Sequence, residues 1–576
     1  MTSQDNYWIR RSHSGSVSRR RFVGGAAIAG VGAASLGLVG CGGDDNEGSP
    51  TASGNANLTP TNPTASAEAP VKGGTLRALA NIGSLIDPHT TNTPAESLSI
   101  WGRVGNTLMR FSTKQPGTTE GDLSSGLPEV PGDGTLLTFK IRPEAKWQNR
   151  APVNGRAVTA EDVKLSFERI KDPAIVSPRG GQFGNIDSMT VIDANTLQMK
   201  LKAPQADLFA VMSDQYNFVI PKETAVKGKD AIKSAADVIG SGPYELDSFV
   251  AAQKFTLKRR ADGYWRPNTA WLDGFEYTHQ VDPQQVANAI RAGQVDVVGL
   301  PVDLVKTFEG DKNFIITKAP TPTRECLLIN HGKDRYKDPK VRLALSRAIN
   351  RAQVYATVFG GGGVVGGPMT PAAPFWALPE AELKKLPGYG DRATEIKEAK
   401  ALLSAAGFPD GFEETIITVT AFDTEKIHEI VVSNLRDIGV TVKTENVGTD
   451  FGANFLPREV KREYTLATTL FLSGGYPDAQ LVLYHHSDTK TKGTRNYGDY
   501  SSPALDVKLE KQSTLYDLPQ RQQLVYDIQR DLINAPGPIW MGSRSTFGVW
   551  STKLRNVQQY SFAAAFWESE NVWIKA

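Results

Sequence analysis

Residues 159–170 read Thr159-Ala160-Glu161-Asp162-Val163-Lys164-Leu165-Ser166-Phe167-Glu168-Arg169-Ile170. Thr159 offers the hydroxyl of an N-cap, and two acids follow where the positive end of a helix dipole would welcome them. Val163, Phe167 and Ile170 then recur at helical spacing, so one face is apolar. Upstream, Leu136-Leu137-Thr138-Phe139-Lys140-Ile141 alternates with a period of two behind the turn pair Asp133-Gly134, as a strand does. Downstream, Pro339 to Arg351 predicts one amphipathic helix, with Val341, Leu345, Ala348 and Ile349 on its apolar side. Glu395 to Ala406 predicts another, ended by Gly407 at the C-cap. Strands and helices alternate without a fixed repeat. The chain is therefore α/β or α+β, and neither a sandwich nor a bundle.

The first 40 residues form an address rather than part of a fold. Ser18-Arg19-Arg20-Arg21-Phe22-Val23 has the twin-arginine export pattern, and the uncharged stretch from Ala26 to Val39 follows it. That stretch is shorter than the roughly 20 residues a bilayer span needs, and its glycines make a poor helix interior. Leu38-Val39-Gly40-Cys41 closes it with small residues before a cysteine, the arrangement of a lipidation box. After Cys41, residues 41–70 are Gly, Ser, Thr, Asn, Pro and Ala with a few acids and one leucine, a composition that cannot bury enough apolar surface to order itself. They read as a tether holding a body off a membrane, with lipidated Cys41 as its anchor.

Residues 41–576 are too many for one core and enough for two or three. Lys and Arg number 64 against 62 Asp and Glu, which argues against a nucleic-acid surface. With Cys41 lipidated, Cys326 is left without an intrachain partner, so no disulfide framework supports the body.

A set of short motifs then falls in one order along the chain: Gly73-Gly74-Thr75-Leu76, Ile86-Asp87-Pro88, Thr159 to Phe167, Gly240-Ser241-Gly242-Pro243-Tyr244, Asp262-Gly263-Tyr264-Trp265, and Ala292-Gly293-Gln294-Val295-Asp296. Asn330, Lys337-Asp338, Val341-Arg342, Ala348-Ile349-Asn350-Arg351 and Ala399-Lys400 through Ala406-Gly407 continue it. In this order and spacing the chain resembles the family 5 (peptide/nickel-type) extracellular solute-binding proteins of bacterial ABC importers.

The resemblance implies an α/β, two-lobed periplasmic-binding-protein fold of the class C type, with an extra inserted domain and a hinge between lobes. Carried onto this sequence, lobe I takes 71–105, 238–325 and 541–576, the inserted domain takes 106–237, and lobe II takes 326–540, with hinge crossings near Cys326 and Trp540. It also implies the function: a monomer outside the cytoplasm, in the periplasmic space, captures a peptide or other medium-sized polar solute and hands it to an ABC permease and its ATPase. No cofactor, metal or nucleic acid is expected. A surface hydrolase or a signalling ectodomain on the same scaffold is the alternative.

No enzyme constellation is legible. His428-Glu429 lacks the second histidine of a zinc helix, and no Gly-x-Ser-x-Gly elbow occurs. The glycines at 360–363 and 366–367 precede no Gly-Lys-Ser/Thr and predict a flexible loop. His485 and His486 are neighbours that would point apart. The resemblance places the ligand site between Phe471 and Tyr500, with Phe471, Ser473, Gly475, Tyr476, Arg495 and Tyr497 as candidates and Trp376 as an aromatic wall. In the family's peptide binders an acid stands at the position of Gly475 and meets the ligand's ammonium. Its absence implies that unblocked peptides are not tight ligands, unless an acid such as Asp478 or Asp499 compensates.

Overall fold

The strand Ile539–Ser551 belongs to both halves of the molecule. The structure is a computed structural model and describes residues 68–91, 97–472, 474–557 and 570–575. The export signal, Cys41, most of the expected tether and Ser473 lie outside the described residues.

Ile539 and Trp540 pair antiparallel with Leu327 and Cys326 of the strand Thr323–Ile329. Further on, Ser545 to Ser551 pair with Pro320 back to Phe314, and Gly548 to Trp550 pair with Gly299 back to Val297. The chain thus changes partners at Pro320–Thr323 and again at Gly542–Ser545. On one side of this crossing lie Thr323–Ile329, Leu466–Leu472, Phe412–Thr418 and Val440–Asn446. On the other lie Val297–Gly299, Thr75–Ala80, Gly274–His279, Lys254–Arg259 and Tyr244–Val250. Helices pack on each part, and the two-lobed α/β fold expected from the sequence is the one observed.

Gly542 has φ +144°, and a Cβ there would stand 2.2 Å from the Val364 carbonyl oxygen. Only glycine fits so close an approach. The neighbour is Gly363–Val365, a short strand paired with Gly542 to Arg544. Part of the glycine run expected to be a flexible loop is therefore sheet, because those glycines let a third backbone close on the crossing.

A separate three-stranded sheet, ordered Leu136–Lys140, Thr196–Leu201, Ile186–Asp193, is covered by the helix Ala160–Lys171. Val163, Phe167 and Ile170 are buried in its core, as their spacing predicted. Thr159 and Asp162 form a reciprocal capping box. Asp162 does more than cap. It also accepts from the Arg156 guanidinium at 2.8 and 2.7 Å and from the Lys222 backbone N–H at 2.8 Å. Burial pushes its pKa up, but Arg156 and these donors outweigh burial and hold it below the usual value.

The other motifs are mostly joints. Asp87 binds Arg169 of that helix at 2.5 Å, and Arg169 also donates to His89 Nδ1, so Ile86-Asp87-Pro88 is stapled to the inserted unit. A Cβ on Gly240 would lie 1.8 Å from the Val104 carbonyl oxygen, which explains the glycines of Gly240-Ser241-Gly242. Asp296 takes the Arg77 guanidinium at 2.8 Å and so ties its turn to Thr75–Ala80. The single helix expected over Pro339–Arg351 is two helices, Pro339–Ala348 and Arg351–Thr357. Ile349 is extended, and the Asn350 side chain accepts from Gln353 N to start the second helix. Periodicity cannot see such a break, because Ile349 stays apolar and buried. The helix expected from Glu395 begins at Arg392, where Asp391 supplies the cap.

Candidate ligand-binding cleft

Phe412–Thr418 and Leu466–Leu472 run parallel, so their carboxyl ends share one edge of the second lobe's sheet. Ligands of open α/β sheets are received at such edges. The segment leaving this edge is Leu472 to Asp478, and it meets the inserted unit.

At that junction Arg521 Nη2 lies 2.6 Å from Asp207 Oδ1, and the Asp478 backbone N–H donates to Asp207 Oδ2 at 2.6 Å. The Trp376 indole donates to the Gly117 carbonyl at 2.5 Å, and the Tyr516 hydroxyl donates to the Gly134 carbonyl at 2.9 Å. Between these contacts is a cavity of about 30 Å³ lined by Trp376, Tyr476, Asp207, Phe209, Tyr516 and Arg521. It has room for about one water, so a solute would require the walls to part.

Trp376 and Tyr476 therefore come together. Trp376 is almost fully buried and packs in an apolar core with Leu481, Tyr500, Val525, Ile528 and Leu532. Tyr476 is half-buried, and burial together with Asp214 and Asp207 pushes its hydroxyl pKa up.

Phe471, Arg495 and Tyr497 form a second group on the same lobe. The Phe471 ring lies 4.7 Å from Tyr484, 6.1 Å from Tyr497 and 6.0 Å from Trp540. Arg495 Nη1 donates to the Leu472 carbonyl at 3.0 Å and to the Tyr484 hydroxyl at 3.1 Å. Arg495 is half-buried and has no carboxylate partner among the described residues; Tyr484 beside it raises its pKa. Gly475 is buried in the turn between the two groups. Asn496 is structural, bonding the Tyr500 carbonyl at 2.7 Å and the Tyr500 N–H at 2.9 Å.

Neither acid named as a substitute for the one missing at Gly475 is free. Asp478 accepts from Gln512 at 2.5 Å and from Ser513 at 2.6 Å. Asp499 pairs with Arg462 at 3.2 Å. His485 and His486 do point apart: His485 Nδ1 bonds the Leu481 carbonyl, and His486 Nε2 meets Glu510. Among the described residues no group of three or more His, Cys, Asp or Glu is placed to hold a metal ion.

Sequence reasoning missed Asp207, Arg521 and Arg324. Arg324 is fully buried, with its guanidinium 3.9 Å from the Trp540 ring centroid, and desolvation lowers its pKa to about 10. None of the three sits in a motif, and the ion pair of Asp207 with Arg521 and the contact of Arg324 with Trp540 join residues remote in sequence, so no local signal marked them.

A family model for bacterial extracellular solute-binding proteins, family 5, matches residues 118–494. The chain belongs to this family. Family 5 proteins serve ABC importers outside the cytoplasm, and among the described residues no helix is long and apolar enough to cross a membrane. The glutathione-binding protein GsiB of Escherichia coli (strain K12) is 25% identical over 417 residues, covering 71% of this chain and 77% of GsiB. HbpA2 from Haemophilus parasuis superposes with a TM-score of 0.75 at 20% identity, covering 87% of this chain and 100% of its own. The periplasmic murein tripeptide binding protein MppA, in its unliganded open form, superposes at 0.72 with 19% identity, covering 89% and 98%.

Proposed function

We propose that this family 5 protein captures a peptide or another medium-sized polar solute between its lobes and delivers it to an ABC permease. The junction around Tyr476 carries the reading. Two lobes share the strand Ile539–Ser551, and polar side chains from both sides of the junction converge on a cavity too small for a solute as it stands. Such a junction must open to load and close to retain, which is how hinged binding proteins work. Phe471, Ser473, Gly475, Tyr476, Arg495, Tyr497 and Trp376 belong to the site in this reading. The division into lobe I (71–105, 238–325, 541–576), inserted domain (106–237) and lobe II (326–540) is part of the same proposal, as are twin-arginine export and a lipid anchor on Cys41. The names of GsiB and MppA, a glutathione binder and a murein tripeptide binder, support a peptide-like solute.

The test is native mass spectrometry of protein purified from its own cells, followed by small-angle scattering with and without the retained solute. A bound small molecule and a smaller radius of gyration on rebinding are expected. No retained molecule, together with an unchanged scattering profile across a solute library, would sink the reading.

A further inference from the structure

A cavity of about 640 Å³ opens in the first lobe beside the start of the strands Thr75–Ala80 and Gly274–His279. These strands are parallel, and Val297–Gly299 beside them runs toward the strand crossing, with Gly299 opposite Gly548. The cavity therefore lies at the end of the sheet away from the crossing, and no residue of the cleft lines it. It falls within the roughly 300–1,000 Å³ of small-molecule sites, whereas the Tyr476 junction encloses about 30 Å³. The Trp271 indole on its wall is half-buried yet belongs to no apolar core, and among the described residues it has neither a ring partner nor a hydrogen bond. Tyr264 lines the same space, its hydroxyl accepting from Asn106 at 3.1 Å and donating to Glu570 at 3.3 Å. The loop between the two rings is strained, since Asn268 and Ala270 both have φ +56°. A left-handed backbone without glycine costs energy and collects at ligand clamps. Asn268 is exposed at the cavity, and its amide has no hydrogen bond among the described residues.

The charges decide the chemistry of the occupant. Arg259 meets Asp273 at 2.8 Å, Arg260 grips Asp262 through two bonds of 2.7 Å, and Arg266 pairs with Asp122. Of the cations lining the cavity, only Lys72, exposed at the rim, has no ion pair among the described residues. Guanidiniums already neutralised do not select a net charge. A guanidinium beside a carboxylate instead sets donors next to acceptors at fixed spacing, which adjacent hydroxyl groups match, and the two rings offer flat apolar faces to C–H groups. We propose that this cavity binds a neutral, disaccharide-sized segment of carbohydrate, stacked on Trp271, with Asn268 and the Arg259–Asp273 pair bonding its hydroxyls. The site is separate from the solute cleft and does not depend on that reading. Outside the cytoplasm, such a segment comes from a free oligosaccharide or from cell-wall glycan.

The probes are cellobiose and N,N′-diacetylchitobiose, with inorganic phosphate as the anionic comparison, each offered to the full-length protein and read by saturation-transfer NMR and calorimetry. At least one disaccharide should bind, with saturation strongest on its ring C–H groups, and phosphate should not displace it. Trp271→Ala should weaken that binding by about 10-fold or more, the scale of an aromatic anchor. Asn268→Gly keeps the left-handed backbone and removes the amide, so it should cost about 3- to 10-fold, the scale of one hydrogen bond, even if Trp271→Ala fails to fold. Lys72→Gln and the cleft variant Tyr476→Ala should leave disaccharide binding unchanged. Sedimentation with purified cell-wall glycan separates the sources: co-sedimentation lost in Trp271→Ala assigns the wall, and disaccharide binding without co-sedimentation assigns a free oligosaccharide. No binding of either disaccharide, displacement by phosphate, loss in Lys72→Gln, or full affinity in both Trp271→Ala and Asn268→Gly would each overturn the proposal. Loss in Tyr476→Ala would place the sugar in the cleft and overturn it as well, while the solute-binding reading stands.

Discussion

Arg521 and Asp207 form a buried ion pair at 2.6 Å that joins the inserted unit to the second lobe. Their sequence positions are more than half the chain apart, yet Asp478 and Gln512 complete the cluster around them. Burial, with Asp478 alongside, pushes the Asp207 carboxyl above its ordinary value, and Arg521 pulls against that rise. The pair is thus a joint whose halves depend on each other.

Arg521→Ala should therefore be strongly destabilising, by about 3–5 kcal/mol, because it leaves a carboxylate buried without its cation. The double replacement of Arg521 by Met and Asp207 by Leu should cost less than the single one. Thermal unfolding of the three proteins checks the order. Equal loss in single and double variants would show that the pair is not coupled.

Glu459 gives a pH dependence of known sign. It is fully buried, neither carboxylate oxygen has a hydrogen-bond partner in good geometry, and burial raises its pKa from 4.5 to about 8. The folded protein therefore holds a proton there that the unfolded chain releases above pH 4.5. Its contribution is fully present below pH 4.5 and is lost as pH rises through 8, by at most about 1.4 kcal/mol per pH unit. Glu459→Gln, which mimics the protonated form, should melt higher than wild type at pH 8 and close to it at pH 4.5. Parallel melting curves at both pH values would refute this.

The strand crossing should not tolerate a side chain at Gly542. Gly542→Ala meets the Val364 carbonyl and adopts an unfavourable φ, so a loss of about 1–3 kcal/mol is expected. A denaturant midpoint unchanged from wild type would show that the crossing can relax.

Export and anchoring are testable in cells. Cys41→Ser should move the protein from the membrane fraction to the soluble fraction, and Arg19→Lys with Arg20→Lys should retain it in the cytoplasm. Detergent partitioning of Cys41→Ser like wild type would remove the lipid anchor from the proposal.

What the sequence by itself determined is local or ordered along the chain. The N-cap at Thr159, the apolar face Val163, Phe167 and Ile170, and the strand from Leu136 depend on neighbours within a few residues, and all three formed as their spacing required. The ordered motifs determined the family, and through it the two-lobed fold. Tertiary structure alone decided the break at Ile349 and Asn350, the short strand at Gly363–Val365, and the meeting of Asp207 with Arg521. The reason is physical. A cap or an amphipathic face is set by bonds and contacts one turn away, whereas a charge becomes a joint or a site only when distant segments remove its water together.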